Sequence, residues 1–217
     1  MDPITIVSAK SIWLMNLQEV NPKGLRLFPN LGDALIEVYD FDDLPDDAPT
    51  ALSTTTQPGP KFKNGQFDTG SGVVRVGLEL YEDGIVAETS VSTLVSDAFI
   101  EHALAWATAS FGLKYDPTLL LKKMYVSEVV VRLSSSLSGQ FTSIDAFAKL
   151  LSETIPSDVK PKYTPAGMTF SAGGSAPNPF TIERRANMPA EANVFYSKAH
   201  IETALHLKLL ADFDALL

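Results

Sequence analysis

The chain has 217 residues and a formal net charge of −9, and it contains no cysteine. That length allows a sizeable core without staples, and the missing thiols exclude disulfides, thiolate metal sites and cysteine nucleophiles. Residues 1–50 hold nine acids against three bases, which argues against a general phosphate-backbone binder, because such binding rests on clustered Lys and Arg.

Met1-Asp2-Pro3-Ile4-Thr5 lacks the basic start and apolar core of a signal peptide. The most apolar helical stretch, Ala98 to Leu113, is interrupted by Glu101 and His102 and falls short of the roughly 20 residues a membrane span needs. The expectation is a soluble, cytoplasmic protein with no membrane association.

In chain order, Ile4 to Leu17 reads as a strand, and Asn21-Pro22-Lys23-Gly24 as a turn. Leu31, Ala34, Leu35 and Val38 recur at helical spacing behind Asn30 as a cap. Residues 42–57 are acidic, then rich in Pro, Ser and Thr, and read as a flexible loop. Asn64-Gly65 signals a two-residue hairpin that would set Phe62 opposite Phe67.

Val74, Val76, Leu78 and Leu80 alternate with polar residues, as a strand with one wet face does. A turn at Asp83-Gly84 would place Leu80 opposite Ala87 and Glu79 opposite Glu88. Ser96 then caps a helix that Gly112 ends. Val129-Val130-Val131 marks an interior strand.

Ser143 opens a helix with Ile144, Phe147, Ala148, Leu151 and Ile155 on one stripe, closed by Pro156. Tyr163 to Ser171, Phe180 to Arg185 and Val194 to Ser197 read as short strands, with a Gly/Pro-rich loop at 172–179. The last helix should face inward with Ile201, Leu205, Leu209, Phe213 and Leu216. The succession implies an α+β fold: a mainly antiparallel sheet of hairpins and meanders with about four helices packed on one face. One domain over 1–217 is expected, and no internal repeat is visible.

Nucleotide-binding glycine motifs are absent in the required context. His200 and His206 are six residues apart, about 120° around a helix, so they do not form a metal-binding pair. Glu79, Glu88 and Glu128 are the candidate catalytic carboxylates. If crowded and covered, they would have split pKa values suited to acid–base work. Arg184 and Arg185 are candidates for an anion or nucleic-acid contact, and Phe62 and Phe67 for an aromatic binding surface. No metal or cofactor is implied. The favoured expectation is a non-enzymatic interaction or assembly protein with a protein partner or a second copy of itself. The alternatives are a small hydrolase or ligand-binding enzyme using the carboxylates, and anion or nucleic-acid binding at Arg184 and Arg185.

Overall fold

The structure is a computed structural model that describes all residues except 22–27, 43–59, 138, 155–161 and 172–178, and the side chains of 28–30. The turn at Pro22, the acidic loop from 43 onward, Ile155, Pro156 and the loop at 172–178 therefore lie outside the described residues.

The chain is α+β, with eight strands of antiparallel sheet and five helices among the described residues. The strands are β1 (Asp2–Leu14), β2 (Lys61–Asp68), β3 (Val73–Tyr81), β4 (Gly84–Thr89), β5 (Lys122–Arg132), β6 (Gly167–Phe170), β7 (Phe180–Arg184) and β8 (Val194–Ala199). The helices are α1 (Leu17–Val20), α2 (Phe28–Tyr39), α3 (Thr93–Phe111), α4 (Thr142–Thr154) and α5 (Thr203–Leu216). Two compact units divide the chain: residues 8–127 with 201–203, and residues 1–7 with 128–200 and 204–217.

In the larger unit the strand order is β2-β3-β4-β1. Val76, Leu78 and Leu80 on β3 and Ile85 and Ala87 on β4 alternate into the core, where Phe99, Ile100 and Ala103 of α3 meet them. The turn between β3 and β4 is Glu82-Asp83, so Leu78 pairs with Ala87 and Glu79 with Val86. This corrects the register expected from Asp83-Gly84. The turn carbonyls have other work, since Asp83 accepts from the Met15 amide at 3.0 Å and Glu82 from Leu17 at 3.1 Å. Gly84 lies in the strand opposite Leu14, where an added Cβ would come within 2.5 Å of the Trp13 carbonyl oxygen. Glycine is needed there for close backbone approach, not for a turn.

The Asn64-Gly65 signal also has another cause. β2 runs through it without reversing, pairing Phe62 with Leu78 and Phe67 with Val74 across a bulge. Asn64 takes the left-handed conformation, φ 57°, which Asn tolerates. Residues five apart on a regular strand face opposite ways. The extra bulge residue brings both phenylalanines into the core.

Ser92, rather than Ser96, caps α3, accepting from the Val95 amide at 3.2 Å. Ser96 is fully buried against the Ser11 hydroxyl at 2.8 Å. Gly112 ends the helix in the left-handed conformation, φ 68°, as its position implies. On α2 Leu31, Leu35 and Tyr39 are buried, whereas Val38 is exposed; the helix begins at Phe28, so Asn30 lies inside it.

The smaller unit orders its strands β6-β7-β8-β5. Val129 and Val131 of β5, Ile182 of β7, Phe195 of β8 and Leu210 of α5 form its core. The inward face of α5 is Thr203, His206 and Leu210, with Leu207 and Phe213 packed against the core. Leu205, Leu209 and Leu216, expected to face inward, are exposed, whereas Phe213 of the same expected set does pack inward. The helix is apolar on both sides, so period alone did not select the buried one.

A repeat invisible in the sequence emerges in the topology. The succession strand, helix, three strands, helix occurs twice, as β1-α2-β2-β3-β4-α3 and β5-α4-β6-β7-β8-α5. The two sets of four strands have matching order. Thr93 opens α3 and Thr203 opens α5, 110 residues apart, and each amide donates to the other's hydroxyl at 3.0–3.1 Å. Five residues before each threonine, a charged strand residue pairs with a partner of opposite sign: Glu88 with Lys10, and Lys198 with Glu128. The Met15–Asp83 backbone bond likewise has its counterpart in Leu133–Asn193, at 3.0 Å.

Gly84→Ala is expected to destabilise the protein by about 1–3 kcal/mol, because the new methyl overlaps a backbone oxygen that cannot move independently. Urea unfolding monitored by Trp fluorescence reads this. A change under ~0.3 kcal/mol would show that the strands do not approach this closely.

His206 gives a second test. Burial lowers its pKa from the ordinary value of 6.5 to about 4. The unfolded chain binds a proton as pH falls through 6.5, and the native chain only near 4. Stability from this residue is therefore undiminished at pH 7 and falls across that window, by on the order of 3 kcal/mol below it. Denaturant midpoints compared at pH 7 and pH 4.5 should drop less in His206→Gln than in the parent chain.

Candidate functional site

Glu79 and Glu88 lie on strands of the larger unit and Glu128 on β5 in the smaller one, and each has its own cation. Lys61 of β2 is directly across from Glu79 and contacts it at 2.9 Å. Lys10 of β1 is across from Glu88 at 3.1 Å, with the Ser8 hydroxyl donating to the same carboxylate at 2.6 Å. Lys198 contacts Glu128 at 2.8 Å. Glu88 is opposite Gly77 rather than Glu79, so the crowded pair expected from the sequence does not form.

The electrostatics follow from this pairing. Burial pushes the Glu79 carboxyl up, but hydrogen bonds from the Tyr81 hydroxyl and Lys61 more than offset it, and the carboxyl is held below its ordinary value. Tyr81 is pushed up to about 12 by burial and by Glu79. A carboxyl with a lowered pKa is ionised at neutral pH and has no proton to donate, the reverse of a tuned general acid. Arg75, on the same strand as Glu79, donates to the Asn64 carbonyl at 2.7 Å.

Arg184 and Arg185 do not act as a fork pair. Arg184 reaches the Thr164 hydroxyl at 2.8 Å and the Pro165 carbonyl at 3.1 Å, holding the chain that enters β6. Arg185 is exposed beyond the end of β7, its amide bonded to the Val194 carbonyl. Phe62 and Phe67 are buried, packed on Phe41 and Phe99 with ring centroids 5.4 Å apart in both pairs. This overturns the aromatic-surface expectation: two rings in the core present nothing to a partner.

Two polar clusters had no local sequence signal. Asp97 of α3 accepts from the Trp13 indole at 2.7 Å and the Tyr125 hydroxyl at 3.0 Å, while the Lys123 ammonium lies 3.8 Å from the Trp13 ring centroid. Four residues from three elements make this tie, so spacing along the chain does not reveal it. The second is a Ser–His contact, Ser197 Oγ to His206 Nε2 at 2.9 Å, with both residues fully buried. The Ser197 hydroxyl donates its one proton to the Thr181 carbonyl at 2.6 Å. It therefore accepts from the imidazole Nε2–H. A base that activates serine requires the opposite polarity and a route for substrate, so this contact is a structural one.

On α4 only Ala148 is buried, while Ile144, Phe147 and Leu150 are 49%, 59% and 55% exposed. The stripe expected to face the core thus points largely to solvent. Among the described residues, no three His, Asp or Glu side chains converge on a metal position. Also among the described residues, no helix is long and apolar enough to cross a membrane.

Exchanging the charges of one pair checks the electrostatic reading. Lys10→Glu and Glu88→Lys singly are each expected to cost up to about 1 kcal/mol, and the double exchange to recover most of it. The native counterpart at Glu128 and Lys198 already has the exchanged polarity. Additive losses in a double-mutant cycle would mean that the lysine and the carboxylate do not interact.

No protein-family profile matches this chain, and neither a curated protein nor a solved structure matches it significantly.

Proposed function

We propose that this protein acts by binding another protein, or a second copy of itself, through an exposed apolar helix surface rather than by covalent chemistry. The observation that carries the reading is α4, which holds Ile144, Phe147 and Leu150 about half exposed at i, i+3 and i+6. An apolar helical stripe of this kind is the usual anchor set for a protein partner. The exposed Leu205, Leu209 and Leu216 of α5 add to the apolar surface of the same unit. The candidate carboxylates support the reading from the other side, since each is spent on a lysine.

Burying the three α4 side chains in an interface would contribute on the order of 2–4 kcal/mol, roughly thirtyfold or more in affinity. Phe147→Asp combined with Leu150→Asp should therefore abolish self-association in analytical ultracentrifugation, or capture of the partner by the tagged chain. The native fold should be retained, because both positions face solvent. A parent chain that stays monomeric at every concentration and captures no partner would overturn the proposal. So would a double variant that associates as the parent does.

A further inference from the structure

The larger unit contains a half-open apolar pocket between α3, the β3–β4 hairpin and residues of α1 and α2. Its volume is about 70 Å³. Leu78, Leu80 and Ile85 form one wall from the hairpin, and Leu31 and Leu35 of α2 form another. The third is α3, and there the sequence explains why space remains. Ile100 and Leu104 fill their positions, but Ala103 and Ala107, one turn apart on the buried face, present only methyl groups. A leucine at either position would occupy the void. Interiors normally close such gaps, because the atoms lining a void lose their contacts.

The lining dictates what could enter. Among the described residues, Asn21, after α1, is the only polar one that lines the pocket, and none of them is charged. An anionic or cationic group set among these side chains would find no partner in them to offset its desolvation. An apolar cavity of roughly 150 Å³ accepts a benzene ring. One of half that volume is too small for a ring and suits a few methylene groups, and its open side leaves room for the rest of a chain. We infer that this pocket binds the end of a linear, uncharged hydrocarbon chain, with any polar group of the ligand left outside.

Straight-chain alcohols from 1-butanol to 1-octanol, titrated into the ¹⁵N-labelled full-length chain, test this. Saturable amide shifts should centre on Leu78, Ile85 and Ala103. Affinity should rise about fourfold per added methylene until the pocket is full, then level off. Ala107→Leu, which fills the void, should abolish the response, and Leu35→Ala, which enlarges it, should move the plateau to a longer alcohol. Absence of saturable shifts up to the solubility limit would overturn the inference. Equal affinity in a folded Ala107→Leu would do the same. If Ala107→Leu fails to fold, an unmoved plateau in Leu35→Ala would overturn it instead.

Discussion

The close passage of Gly84 beside the Trp13 carbonyl is the constraint on which the polar face of the larger unit depends. Without a Cβ at residue 84, β4 can pair with β1 from Ala9–Thr89 to Leu14–Gly84. That register puts Lys10 across from Glu88. It also leaves Glu82-Asp83 as the turn, whose carbonyls receive the Met15 and Leu17 amides. The turn in turn sets β3 against β4, and β3 carries Glu79 to Lys61 on β2. One glycine is thus coupled through three strand pairings to the ionisation of the carboxylates.

The repeated strand–helix–three strands–helix succession gives these pairings a second meaning. Both copies place an ion pair five residues before the threonine that opens the closing helix, with polarity reversed between copies. What the two copies share is the pair, not the identity of either member. An opposite-charge pair across two strands satisfies the same physical requirement with either sign on either strand. The repeat can therefore persist in backbone topology while the charged residues at this pair are exchanged. The copies differ most in their apolar surfaces. The larger unit gathers its aromatic rings into the core around Phe99, whereas the smaller one leaves the α4 stripe to solvent. The exposed apolar stripe therefore belongs to the smaller unit, and the pocket beneath Ala103 and Ala107 to the larger.

Much of the fold was legible along the chain, and little of the site. Strict alternation from Val74 to Leu80 identified β3, because a half-buried strand must bury every second residue. Gly112 was recognisable as a helix end because few other residues adopt its conformation. The errors share a cause. Asp83-Gly84 and Asn64-Gly65 are both hairpin signals, yet one glycine serves a close strand approach and the asparagine before the other marks a bulge. Each dipeptide states that the backbone does something unusual, without stating which unusual thing. On α5, leucines on two faces left the choice of the buried one to packing against β7 and β8.

The sequence by itself determined the kind of elements, their order and the α+β class, since these follow from periodicity and from residues with restricted backbone preferences. Only the tertiary structure decided which residues share a site. Register sets Glu79 and Glu88 against lysines instead of each other, and a bulge turns Phe62 and Phe67 inward. The contact between Ser197 and His206 gets its polarity from the Thr181 carbonyl. All three outcomes depend on pairings between distant segments. A shift of one or two residues changes them completely while leaving every local signal in the chain unaltered.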